Sequence, residues 1–280
     1  MSSLLDWGIV ATIARQELRI TLRSRWVLVY AAIFAVLALA VSYFGLAVIE
    51  FTGFQEFDRT AVSLLNLVLY IVPLATMLMA VQSFRTEGGA TDHLFAEPVT
   101  VTEIVLGKVV GLMGAHVLAT VLGFSFTGVF VGAKVGTQGV SSYLVLVGFT
   151  VLVGMVFVAI ASLLTIVAGR GARAYAVVLV AWFLIVLLFD LVIIGLSFAL
   201  PENWANRTAF AGVFLNPVDA ARVGTMLAIS GKEMFGPAGA QLVRLLGGVG
   251  EAIALLVAAL FVWIVIPTAG SILILGRQDL

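Results

Sequence analysis

The sequence predicts an all-α polytopic membrane protein with six transmembrane helices, an N-terminal amphipathic helix at the membrane interface and both termini in the cytosol. Of its 280 residues, 62% are hydrophobic and 11% are charged, and the mean hydropathy is +1.19. Soluble domains carry about 45–50% apolar and about 25% charged residues. This chain has too little polar surface to cover itself in water, which excludes an ordinary soluble enzyme, a disordered chain and a nucleic-acid-binding protein.

The charge balance and the cysteine count exclude further classes of protein. Fifteen basic and fifteen acidic residues give a net charge of zero, and the chain has no cysteine. Balanced charge provides no overall field that attracts a polyanion. The lack of cysteine excludes disulfides, thiolate metal sites and a cysteine nucleophile.

Six segments are apolar enough, and long enough, to cross a bilayer, which requires about 20 mostly apolar residues. They are residues 26–49, 61–84, 105–131, 143–168, 174–200 and 251–275. None alternates polar and apolar residues as the strands of a barrel do. The first is too long for a cleavable signal peptide and has no small-residue cleavage site. A single transmembrane domain, residues 1–280, accounts for the chain.

The distribution of Lys and Arg predicts that both termini are cytosolic, because cytosolic loops carry an excess of these residues. The side of the termini carries Arg15, Arg19, Arg23, Arg25, Arg85, Lys108, Arg170, Arg173 and Arg277. The short loops of the opposite side carry Arg59 and Lys134, and the long segment 201–250, which weighs less in this rule, adds Arg207, Arg222, Lys232 and Arg244.

Residues 7–25, before the first span, predict an amphipathic helix. Arg15, Arg19 and Arg23 fall on one face of it, and Trp7 lies outside that face. Such a helix suits the cytosolic membrane interface. Two interpretations remain open, namely an anchor that only fixes the orientation and a helix with a mechanical role.

Two segments between the spans carry further local signals. The cytosolic segment 85–104 is polar, and its Gly and Pro residues predict a short helix across the cytosolic face. In the outer segment 201–250, Asn216-Pro217-Val218-Asp219 predicts the start of a helix over 217–229, and Pro237 begins another that runs to about residue 246. Both are apolar on one face, so we expect them on the outer membrane surface or as a cap on the bundle.

The sequence contains no motif for catalysis. It has no G-x-x-x-x-G-K-[ST] phosphate-binding loop and no H-E-x-x-H zinc motif. Its two histidines, His93 and His116, lie in no nucleophile-elbow context, and its methionines have no spacing that suits Cu(I). We therefore expect a non-catalytic chain with no metal site and no cofactor of its own.

Asp190 is the clearest polar residue inside a predicted span, in the run FLIVLLFDLVIIGL. A charge at that depth is costly unless it is paired or hydrated. The carboxylate either lines or gates a pore, or it is a protonated or paired acid that fixes helix packing. His116, inside the third predicted span, is a candidate partner for it.

Four stretches along the chain resemble the permeases of ABC-2 type exporters. They are ARQELRITLRSRW at 14–26, TEGGATDHLFAEPVTVTEIVLGK at 86–108, AWFLIVLLFDLVIIGL at 181–196 and FLNPVDAARV at 214–223. The last two are most similar to the permeases of the ABC complexes that mature nitrous oxide reductase.

That resemblance implies a homodimeric permease in the bacterial inner membrane, served by a separate ATPase subunit that binds ATP and Mg²⁺. It implies a coupling helix at 88–100 that inserts into the ATPase and a second contact at 169–173. The implied coupling residues are Glu87, Asp92, His93, Leu94, Phe95, Glu97, Pro98, Arg170 and Arg173. A periplasmic maturation protein would dock on Asn216, Pro217, Asp219 and Arg222. The implied task is copper-site maturation of nitrous oxide reductase.

Three alternatives remain at this point. One is an ATP-independent channel or secondary transporter, against which stand the scarcity of intramembrane charges and the lack of an internal repeat. Another is an ABC-2 exporter permease for a different substrate. The third is a structural membrane anchor for an extracytoplasmic complex.

Overall fold

The computed structural model describes residues 5–24, 56–85, 99–135, 137–169, 171–230 and 246–278, together with positions 32, 36, 243 and 244. The described residues form helices and connecting turns. The helices are α1 (Trp7–Arg23), α2 (Glu56–Arg85), α3 (Val101–Val135), α4 (Thr137–Ala168), α5 (Ala172–Trp182), a π-helix (Phe183–Leu188), α6 (Phe189–Ala199), α7 (Glu202–Leu215), α8 (Pro217–Ser230) and α9 (Val249–Gln278).

Five helical segments among the described residues are long and apolar enough to span a membrane. They are 65–84, 101–125, 141–168, 172–199 and 249–277, and they contain or overlap the second to sixth predicted spans. The first predicted span, 26–49, lies outside the described residues apart from positions 32 and 36. The five later spans are therefore confirmed as long apolar helices, whereas the sixfold count and the cytosolic termini stay predictions.

Helix α4 is the centre of the bundle, since α2, α3, α8 and α9 all pack against it. Its apolar residues around Val153 and Phe157 have no exposed surface. The share of buried residues is 61% in the apolar window of α4 but 11% in the fifth span, which α5, the π-helix and α6 form together. The fifth span therefore presents most of its apolar surface outward, and α4 holds the core.

The hairpin of α7 and α8 folds back into the bundle, whereas we expected α8 on the outer surface or as a cap. Helix α7 runs back along α6, and its turn into α8 reaches the middle of two spans. Asn216 Nδ2 donates to the carbonyl of Ile185 at 2.9 Å, and Trp263 Nε1 donates to the carbonyl of Phe214 at 3.1 Å. At about 1.5 Å per residue, Ile185 lies roughly 20 Å from either end of the fifth span.

Small residues explain why this hairpin packs inside the bundle. Ala220 and Ala221 are fully buried, and α8 contacts both α4 and α9. A Cβ at Gly224 would lie 2.6 Å from the ring of Phe149 on α4, so a larger residue there would require this ring to move. An apolar helix face in the sequence does not tell whether lipid or protein covers it, and here small residues favour close helix packing.

Local predictions for the helix ends agree with the structure. Helix α8 begins at Pro217 and ends at Ser230, as expected from the residues around Asn216. The break between α4 and α5 coincides with the predicted loop 169–173, where Gly169 and Gly171 adopt φ of 79° and 84°. This left-handed conformation favours glycine. The second predicted outer helix lies largely outside the described residues.

Candidate functional site

The segment expected to contact an ATPase lies between two helix ends that the structure describes. Residues 86–98 and Arg170 lie outside the described residues. The predicted coupling residues that fall within them are Glu87, Asp92, His93, Leu94, Phe95, Glu97, Pro98 and Arg170. Arg173 is exposed in the first turn of α5. The described part of the candidate site therefore consists of the end of α2, the start of α3 and the neighbouring α1.

Glu103 joins the start of α3 to the start of α1. One of its carboxylate oxygens accepts from the backbone N–H and the hydroxyl of Thr100, both at 2.8 Å, and the Thr100 hydroxyl accepts from the N–H of Glu103. This reciprocal arrangement is a capping box. The other carboxylate oxygen accepts from the backbone N–H of Asp6 at 2.8 Å. One side chain thus satisfies backbone donors at two helix starts.

Lys108 holds the end of α2 against α3. Its Nζ donates to the carbonyl of Ser83 at 3.2 Å and lies 5.4 Å from the centre of the Phe84 ring. Its charge also interacts with the buried Glu17 of α1. A cation near a helix C-terminus is favourable because the last carbonyls there lack helical partners. Lys108 thus attaches the helix before segment 86–98 to α3, and Glu103 attaches the start of the helix after it to α1.

Helix α1 packs closely on α3 through two glycines. A Cβ at Gly107 would lie 2.6 Å from Cβ of Ile13, and one at Gly111 would lie 2.6 Å from the carbonyl oxygen of Ala14. Such contacts require glycine on α3 and bring the two backbones together. Helix α1 is consequently a packed part of the bundle on this side.

Sequence reasoning missed the roles of Glu103, Lys108 and Glu17. The T-x-x-E spacing of Thr100 and Glu103 is a recognisable capping-box signal, although the sequence gives no sign of the bond to Asp6. Lys108 counted only as a charge that sets orientation. The tertiary contacts of Lys108 and Glu17 have no local sequence signal.

A second group of charged side chains lies between the fifth span and α8. One guanidinium nitrogen of Arg222 donates to the carboxylate of Asp190 at 2.9 Å and to that of Asp219 at 2.7 Å. The exposed fractions of the Asp190, Asp219 and Arg222 side chains are 29%, 16% and 20%. We call these three residues the charge triad. Two carboxylates share a single cation there, and the ion pair of Arg222 with Asp190 joins α8 to α6.

The π-helix lies immediately before Asp190 and receives a hydrogen bond from the hairpin. Its wider turn moves backbone bonds from i+4 to i+5, as in the bond from the N–H of Phe189 to the carbonyl of Leu184. Asn216 caps α8 by accepting from the N–H of Val218 at 2.9 Å, while its amide donates to Ile185 in the π-helix. Short π-helical segments frequently occur at functional sites.

The four residues expected to dock an outer partner lie inside this hairpin. Asn216 is 1% exposed and Pro217 is buried, while Asp219 and Arg222 bind each other within the charge triad. These side chains make contacts within the chain in this conformation and present little surface. The docking role stays a prediction, and the structure offers a packing role for the same residues.

His116, a candidate partner of Asp190, does not pair with it. It is completely buried between α3 and α4, where its Nδ1 lies 3.3 Å from the hydroxyl of Thr120. Its ring occupies the space that a Cβ at Gly154 would need. The partner of Asp190 is Arg222, which sequence reasoning assigned to an outer segment.

The described residues include few groups that could bind a metal ion together. Across the described part of the chain, no three His, Asp or Glu side chains are grouped closely enough to hold a metal ion. The charge triad contributes two carboxylates, both directed at Arg222.

Comparisons with known proteins place these features in context. The profile of the family described as ABC-2 family transporter protein matches residues 11–280. A Pseudomonas aeruginosa protein named "Probable ABC transporter permease protein NosY" is 32% identical over 223 residues, which cover 77% of this chain and 80% of that protein. A Stutzerimonas stutzeri protein with the same name is 33% identical over 238 residues, covering 82% of this chain and 84% of that protein.

Proposed function

Because this chain belongs to the ABC-2 family of transporter proteins and is an ABC transporter permease subunit, we propose that it couples ATP hydrolysis by a separate ATPase subunit to movement of the membrane bundle. The contact with the ATPase is formed by residues 86–98 and by the short loop 169–173. No phosphate-binding loop is present in the sequence, so the partner chain supplies ATP binding and hydrolysis. The permease supplies the path across the membrane.

The attachment of both ends of segment 86–98 is the observation that supports this proposal most strongly. Lys108 binds the carbonyl of Ser83 before the segment, and Glu103 binds Thr100 after it. A force applied between these points therefore acts on α2 and α3 together rather than on a slack loop. Since α2 and α3 both pack on the central α4, the force reaches the core of the bundle.

The composition of segment 86–98 favours a protein contact. Glu87, Asp92 and Glu97 make it acidic, and Leu94 and Phe95 add an apolar centre. An apolar residue surrounded by charges suits an interface with a hydrophobic core and a polar rim. The exposed Arg173 at the start of α5 would add a basic contact beside it.

We extend the proposal to the biological task through the relatives' names. Both carry the name of the NosY permease, so we propose that this chain serves the copper-site maturation of nitrous oxide reductase. In that system two copies of the chain would work with two ATPase subunits and an outer maturation protein. Copper would be cargo of the assembly rather than a resident cofactor of this chain.

The test replaces residues 88–98 by a Gly/Ser linker of equal length and leaves Thr100, Glu103 and Lys108 intact. The permease and its ATPase are co-expressed and purified through a tag on the permease. We expect normal membrane insertion with at least a tenfold loss of bound ATPase, because the contact residues are gone while the attachments remain. The control is the same replacement at 232–242 on the predicted outer side, which should retain the ATPase.

Two outcomes test the coupling segment and the maturation task separately. Stoichiometric ATPase on the 88–98 variant would contradict the assignment of the coupling segment. The maturation role is then tested in a strain that lacks the native permease. Nitrous oxide reductase that acquires its copper sites without this chain would contradict the maturation role and favour an exporter of another substrate.

A further inference from the structure

Helix α1 has one face packed on α3 and an opposite face that is open. The packed face contains Val10, Glu17 and Thr21, which are between 4% and 7% exposed. The open face contains Arg15, Arg19 and Arg23, one helical turn apart, and all three are exposed. Among the described residues, α1 packs on α3 through the first face, while the arginines of the second face stay exposed.

The open face combines cationic side chains with apolar ones at its edges. Trp7 is 69% exposed and Ile20 is 57% exposed, and they flank the arginines on opposite sides. Among the residues that the structure describes, none of the three arginines forms an ion pair. A basic face bordered by an aromatic and an aliphatic residue is the composition of helices that lie among lipid headgroups.

The position of α1 along the bundle also fits the headgroup level. Helix α3 has 35 residues and is roughly 52 Å long, so it exceeds the hydrocarbon thickness of about 30 Å. The excess length lies at one or both ends of α3, and Glu103 is in its first turn. Helix α1 packs on α3 at Gly107 and Gly111. Arg23 also lies three residues before the first predicted span, so the C-terminal end of α1 must be close to the membrane.

We propose that the open face of α1 binds anionic phospholipid headgroups and thereby holds both attachments of segment 86–98 in place. Arg15, Arg19 and Arg23 bind the headgroup phosphates, while Trp7 and Ile20 enter the layer beside them. The N–H of Asp6, at the start of α1, donates to Glu103, and Glu17 on the packed face lies against Gly111 of α3. The charge of the lipid thus regulates how firmly the ends of segment 86–98 are held by the neighbouring helices.

The regulatory part of this proposal rests on the coupling function proposed above. Lipid binding does not depend on that function. Each arginine near an anionic surface contributes roughly a fivefold preference, so three give about a hundredfold preference over a neutral surface. A contact between α1 and the ATPase is a different proposal, because it would protect the same face without any need for lipid charge.

The experiment uses the full permease–ATPase complex in nanodiscs of phosphatidylcholine alone or with one quarter phosphatidylglycerol. Hydrogen exchange at residues 8–23 reports on the seating of α1, and ATP hydrolysis reports on coupling. We expect exchange in α1 to slow at least threefold in the anionic discs and ATP hydrolysis to change by about threefold. The R15Q/R19Q/R23Q variant should show neither difference, whereas R15K/R19K/R23K should restore most of both.

The control removes exposed arginines elsewhere, as R207Q/R244Q, and should behave as the parent chain does. Equal exchange of α1 in both lipids would overturn lipid binding, whatever the ATPase does. Protection that requires the ATPase in neutral lipid would overturn it in favour of a protein contact. Lipid-dependent protection with identical ATP hydrolysis would overturn the regulatory part alone, and failure of the coupling assignment shows separately in the 88–98 replacement.

Discussion

The two groups of charged side chains in this protein are built in opposite ways. Beside segment 86–98, the charges bind backbone groups at helix ends, as Glu103 does with Thr100 and Lys108 with Ser83. In the charge triad, the charges bind one another across two helices. Helix ends have unsatisfied polar groups in any conformation, whereas an ion pair between helices exists only while the helices stay adjacent.

The few charged side chains of this bundle therefore serve two different purposes. The first group satisfies obligatory backbone groups and so fixes the mounting of a segment. The second group fixes the position of a hairpin relative to the fifth span, and it depends on a single guanidinium shared by two carboxylates. Removing a charge should therefore have local effects in the first group and larger effects in the second.

Replacing Arg222 by Met should have the largest effect on stability. The change leaves Asp190 and Asp219 side by side in a mostly buried place without a cation, which should cost about 3 kcal/mol of unfolding free energy. Thermal unfolding of the purified permease in detergent measures the loss.

The matched controls are D190N and D219N. Either leaves one carboxylate with Arg222, so the charges balance and the cost should be much smaller than for R222M. Equal destabilisation by R222M and D190N would show that the triad acts through packing rather than charge. D190N at full stability also allows its effect on maturation to be measured without loss of the fold.

Replacing Lys108 by Met should have a smaller and more local effect. It removes the hydrogen bond to Ser83 and leaves Glu17 without that cation, at a cost of about 1 kcal/mol. Hydrogen exchange at the end of α2 should quicken about fivefold, while α4 stays protected. K108R, which keeps the charge, should preserve slow exchange. Faster exchange spread over the whole bundle would contradict a local role for Lys108.

Much of this architecture could be predicted from sequence because it depends on local properties. Long apolar runs predicted the five described spans, and the order of residues around Asn216 predicted where α8 begins. The depth of the hairpin was not predictable, since apolar faces do not distinguish lipid from protein. The partner of Asp190 was not predictable either, because Arg222 approaches it only when α7 folds back along α6.

The site beside segment 86–98 shows the same limit in a different form. Thr100 and Glu103 carry a local capping signal, but the second bond of Glu103, to Asp6, joins residues 97 positions apart. The resemblance to ABC-2 permeases pointed to residues 88–100, and the family membership supports a role in coupling for the part of them within segment 86–98. Its two attachments became visible only through the contacts of α1, α2 and α3.

The central claim, that the ATPase docks on segment 86–98, is tested most directly by photo-cross-linking in the assembled complex. The amino acid p-benzoylphenylalanine replaces Phe95 in the segment or, as control, Phe198, which is 88% exposed near the other end of the fifth span. We expect a cross-link to the ATPase from position 95, with a yield that changes when ATP is trapped, and none from position 198. A purified complex with bound ATPase but no cross-link at 95, or an equal yield at 198, would show that the ATPase docks elsewhere.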